Sequence, residues 1–90
     1  MSIDIKTQNN NSFEITVAAS IQTSHIVTVS DDDYQTLTKG MISKEQLIAF
    51  SFDFLLAREP NTSILADFEL PVIVRYFPEY EAEVAAFCHS

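Results

Sequence analysis

One glycine, one cysteine, no tryptophan and five basic residues are what this 90-residue chain has least of. Each shortage closes a class of function. A single glycine, Gly40, leaves no glycine-rich loop to cradle a phosphate. A single cysteine, Cys88, forms neither an internal disulfide nor a four-thiolate zinc site. Five lysines and arginines against thirteen aspartates and glutamates give a formal net charge of −8. That balance opposes nucleic-acid binding, which needs a cationic stripe to displace counterions, and it opposes docking on anionic membranes. No hydrophobic run reaches the roughly 18 residues of a membrane span. The start of the chain, with Asp4 and a polar run to Ser12, carries no signal-peptide core. The expectation is a cytoplasmic protein that needs no cofactor, with residues 1–90 as one domain.

What is present is a pattern that changes period once. Ile3 and Ile5 alternate with Asp4 and Lys6, the period of two that marks a half-buried strand. Gln8 to Asn11 make a polar turn, since Asn accepts the left-handed backbone a tight turn needs. Phe13, Ile15, Val17 and Ala19 alternate again, and His25 to Val29 is rich in β-branched residues. These runs predict an N-terminal antiparallel meander of two or three strands.

From Ser30 onward the period is helical. Ser30 caps a helix whose first turn, Asp31 to Asp33, places three carboxylates at the positive end of the dipole; Gly40 ends it. Ser43 and Gln46 have capping-box spacing ahead of a helix expected to reach Glu59, where Pro60 stops it. Leu47, Phe50, Phe54 and the stem of Arg58 form one stripe, widened by Ile48, Phe52 and Leu55, so this helix is expected at the centre of the core. Asn61 to Asp67 is expected to hold a short helical turn. Val72 to Phe77 has strand propensity, but Pro71 and Pro78 bracket about two turns and favour a helix. Pro78 opens a last helix with Glu79, Glu81 and Glu83 near its start and Tyr80, Val84 and Phe87 on its apolar face. The fold class is therefore α+β: a small sheet packed against three to four C-terminal helices.

Chemistry-bearing residues are few. The Asp31–Asp33 run serves a helix start better than a cation, because consecutive helical residues diverge. His25 lies in a strand, where a rim or cross-strand partner is expected rather than a base. Cys88 has acidic or apolar neighbours, which do not activate a thiolate. No catalytic, cofactor-binding or metal residue is assigned, and no enzyme is expected. Arg58 and Arg75, the only guanidinium groups, clamp a partner carboxylate or else pair within the fold, Arg58 at a helix C-terminus and Arg75 with Glu79. Tyr76 and Tyr80, in the aromatic knot with Phe77 and Pro78, either close the core or anchor a partner. Arg58, Arg75, Tyr76 and Tyr80 are thus the candidate interaction residues.

The stretch from Ser51 through Phe52, Asp53, Phe54, Arg58, Glu59, Pro60 and Asn61 to Leu65, with Arg75-Tyr76-Phe77-Pro78-Glu79-Tyr80-Glu81, resembles a family of short bacterial proteins without assigned activity. The resemblance extends from about His25 to Val84. It implies a bacterial cytoplasmic protein and transfers no site. The leading functional expectation is a protein–protein interaction or homodimeric accessory module, whose partner is a second copy or another protein. The alternatives are an acidic inhibitor or DNA mimic covering a basic surface, and a small-ligand-binding module. A mimic should gather its acids, whereas here six acids oppose three bases in residues 1–45 and seven oppose two in residues 46–90.

Overall fold

A computed structural model describes residues 2–89. Strands β1 (Ser2–Thr7), β2 (Ser12–Ala18) and β3 (Thr23–Thr28) form the expected antiparallel meander. Helices α1 (Asp31–Thr38) and α2 (Lys44–Leu56) come next, then a 3-10 turn (Asn61–Ser63), strand β4 (Asp67–Glu69), α3 (Val72–Tyr76) and α4 (Tyr80–Cys88). The protein is α+β, with four helices and a four-stranded sheet among the described residues.

The sheet corrects the two- or three-stranded antiparallel expectation. β4 is a fourth strand, paired parallel to β3, and the sheet is mixed with order β1-β2-β3-β4. Its existence follows from the needs of β3. The Ile26 N–H donates to Ala66 O at 2.8 Å and the Leu70 N–H donates to Thr28 O at 2.9 Å, so the second side of β3 is satisfied by a segment about 40 residues away. β4 is parallel because the chain crosses back through α1 and α2 before pairing. The helical turn expected through Asp67 therefore stops at Ser63.

Strand alternation sorts the two faces. Ile5, Ile15 and His25 stand side by side on the inner face, as do Phe13, Val27 and Phe68. Asp4, Lys6, Glu14, Asp67 and Glu69 fall on the other face. α2 covers the inner face and buries Leu47, Ile48, Phe52 and Leu55. Both expected caps form: Ser30 Oγ accepts from the Asp33 N–H, and Ser43 and Gln46 complete a capping box. α2 ends at Leu56, earlier than expected. Arg58 N–H donates to Leu55 O in a tightened last turn, because Pro60 bars helical geometry at Glu59. No helix among the described residues is long and apolar enough to cross a membrane.

Candidate interaction site

α4 packs on α2 through Tyr80, and this decides what remains for the surface. Tyr80 is fully buried. Ser51 Oγ donates to Leu47 O at 2.6 Å, so its hydrogen is committed and the Tyr80 hydroxyl donates to Ser51 Oγ. Burial pushes the Tyr80 phenol well above its ordinary range. Its ring meets Phe54 edge-on at 5.2 Å.

Arg58 is also engaged inside the fold. Its Nη1 donates to Phe54 O at 3.0 Å, and its guanidinium lies 3.6 Å over the Phe54 ring. Nε is 3.5 Å from Glu79 and Nη2 is 3.9 Å from Glu83. Arg58 thus ties the end of α2 to α4, taking the Glu79 that sequence spacing had offered to Arg75. Arg75 is exposed and lines a depression of about 290 Å³ together with Asp33 and Glu81. Among the described residues no ion pair within 4.0 Å involves it.

Tyr76 stands apart from these, 67% exposed. It lies on a groove of about 300 Å³ between the end of α2, β4 and α3. Buried Leu55, Ile64, Phe68 and Ile73 form the interior. Tyr76 and Leu65, the latter 47% exposed, form the rim. Ile21, Met41 and Phe87 are the other exposed large apolar residues described, and none of them lines the groove. Glu59 is the groove's one charged lining residue; it is partly buried and takes part in no ion pair among the described residues.

The groove is braced by a buried polar network. His25 is 2% exposed, with Nδ1 2.8 Å from Leu65 O and Nε2 2.8 Å from Thr23 Oγ1. A carbonyl only accepts, so Nδ1 carries the hydrogen, and in the neutral ring Nε2 accepts from the Thr23 hydroxyl. Asn61 Nδ2 donates to Thr23 Oγ1 and to Ile21 O, both at 2.8 Å. The β2–β3 turn, β3 and the segment leading into β4 are thereby fixed together, and the backbone of Leu65 is held at the rim. Phe52 closes the network from α2, its ring 5.5 Å from His25 and 6.3 Å from Phe68.

Of the four candidate residues, one is on the groove, two are engaged in packing α4 on α2, and Arg75 lies apart. Sequence reasoning missed Leu65, Glu59 and the Thr23–His25–Asn61 network. The one signal in the sequence was Ile64-Leu65 directly after a cap-forming run, an apolar pair on a segment too short to bury both. Nothing among the described residues groups three or more His, Cys, Asp or Glu in a metal-holding cluster. In comparisons with known proteins, no family model, curated protein or solved structure matches the chain.

Proposed function

We propose that the chain is a small cytoplasmic protein–protein interaction module, without enzymatic activity, whose groove receives an apolar side chain of a partner protein next to a lysine or arginine of that partner. The observation that carries this reading is Glu59, partly buried among apolar walls and in no ion pair among the described residues. A carboxylate in such surroundings favours a cation more strongly than one in open water. An anionic ligand meets repulsion there. The volume of about 300 Å³ is at the low end for small-molecule sites and suits one or two side chains. Tyr76 offers rigid, amphipathic contact area of the kind that concentrates at hot spots. The chain's net charge of −8 steers a basic segment toward it.

The DNA-mimic alternative has less support. The acids are distributed over the start of α1, the outer face of the sheet and α4, and Glu79 and Glu83 already face Arg58. Selection of peptides from a random displayed library tests the reading. Enriched peptides should carry an apolar anchor near Lys or Arg, and should shift the amide resonances of Leu65, Phe68 and Tyr76. Glu59→Gln should weaken them several-fold. Enrichment without basic residues, or shifts mapping away from the groove, contradicts it.

A further inference from the structure

The opposite edge of the sheet carries a second surface, independent of the groove. β1 is an outer strand of six residues. Which of its backbone groups face outward is set by the turn. The Gln8 N–H donates to Ser12 O across to β2 at 2.9 Å. Backbone groups alternate sides along a strand, so Lys6, Asp4 and Ser2 also face β2. Ile3, Ile5 and Thr7 therefore turn their N–H and C=O groups to the open edge. On the inner face Ile3 and Ile5 are only partly buried, although their neighbours Val17 and Ile15 are fully buried.

Charged side chains normally guard such an edge. Here the guards are Asp4 and Lys6, both exposed, both on the outer face, of opposite sign and two residues apart. We infer that two copies of the chain join β1 to β1 in antiparallel register centred on Ile5, continuing the sheet across a two-fold axis. An axis perpendicular to the sheet sets one residue against its own copy, because directly opposed side chains share a face. Centring on Asp4 opposes two carboxylates, and centring on Lys6 opposes two ammonium groups. Centring on Ile3 pairs Asp4 with Ser2 and leaves Thr7 beyond the ladder. Centring on Ile5 sets Asp4 against Lys6 of the second copy, twice, and Ile3 against Thr7, twice.

The same register satisfies the backbone. Ile5 faces Ile5, and Ile3 faces Thr7 on both sides, all through outward-turned groups, giving about six ladder hydrogen bonds. It also brings the two Ile5 side chains together on the inner face, where each alone is left partly exposed. Lys6 has Glu14 opposite it in its own sheet without an ion pair within 4.0 Å among the described residues. In the dimer it lies between two acids.

Charge reversal on the full chain tests this, because both side chains are exposed and leave the core untouched. Light scattering coupled to size exclusion should give about 20 kDa, twice the chain mass of 10.1 kDa. Asp4→Lys or Lys6→Asp alone sets like charges opposite at two places and should weaken the dimer at least fivefold. The double variant should restore it, and the two single variants mixed should form a heterodimer. Amide exchange gives a second readout on the unmodified chain: protection at Ile3, Ile5 and Thr7 should rise with protein concentration, while Asp4 and Lys6 stay constant. A mass near 10 kDa at hundreds of micromolar overturns the dimer. A dimer indifferent to the single reversals, or not rescued by the pair, overturns the register while leaving self-association standing.

Discussion

The two edges of the sheet solve one problem in different ways. Both present backbone groups that seek a partner. At the β4 edge the strand is three residues long, Phe68 drives into the core, and Pro71 turns the chain at once into α3. At the β1 edge the strand is twice as long, and its inward isoleucines are only partly covered. The first edge is closed by its brevity and by the immediate turn into α3, and the groove forms in the angle between strand and helix. The second is left open, with side chains that match their own copy in one register. The same feature of a β-sheet thus becomes a pocket at one end and, in the proposed dimer, a ladder at the other. The difference lies in the residues that flank each strand: Pro71 leads the chain after β4 directly into α3, whereas a polar turn follows Thr7 at the end of β1.

Removing the brace under the β4 edge should have the largest effect. Phe52→Ala deletes the ring between His25 and Phe68 and should cost about 3–5 kcal/mol. That is a large share of the roughly 5–13 kcal/mol expected for a chain of this length. A melting temperature within a few degrees of the parent contradicts the packing described. Asn61→Ala removes two donors to Thr23 and Ile21 and should cost about 1–3 kcal/mol. Its signature is local: amides of Ile26 and Leu70 exchange faster, while those of β1 do not change relative to the global stability.

Tyr80→Phe separates the α4 contact from both edges. Ser51 keeps its bond to Leu47 O, so the cost should be about 1 kcal/mol near neutral pH. Burial raises the Tyr80 phenol in the folded state, so the folded chain holds that proton more tightly than the unfolded chain. Its contribution is complete below about pH 10 and is lost as pH rises through the folded value. Denaturant titrations above about pH 10 should therefore show a shallower loss in Tyr80→Phe than in the parent. The smallest effect belongs to the α1–α2 turn, remote from either edge. Lys39 and Gly40 both have positive φ, 53° and 76°. Gly40→Ala should cost about 1 kcal/mol, from backbone conformation alone, because the added Cβ meets only the Gln35 side chain at ordinary distance. Lys39→Gly should be neutral or slightly stabilising, as glycine relieves the left-handed strain.

The strands and caps were legible because their signals are local. Ile3 and Ile5, Phe13 to Val17, Ser30 with Asp33 and Ser43 with Gln46 announce their structure within a few residues. Of the expected apolar face of Tyr80, Val84 and Phe87, the first two are buried, whereas Phe87 stays 39% exposed. β4 was not, since three residues carry little periodicity and Asp67–Glu69 becomes a strand only because β3 needs a partner. Arg58 and Arg75 show the same limit. Spacing along the chain favoured Arg75 for Glu79, but the packing of α4 against α2 brings Glu79 to Arg58 instead. The groove depends on three segments meeting, and only Tyr76 of its rim was singled out by residue type.

One isotope-labelled sample carried through two titrations tests most directly that the two edges serve separate partners. Dilution from hundreds of micromolar should move the amide resonances of Ile3, Ile5 and Thr7 and leave Leu65, Phe68 and Tyr76 in place. Addition of a library-selected peptide with an apolar anchor beside a basic residue should move the second set and leave the first. Two disjoint sets of shifts are the predicted result. A single set responding to both titrations, or no concentration dependence at β1 together with no peptide response at the groove, contradicts the account.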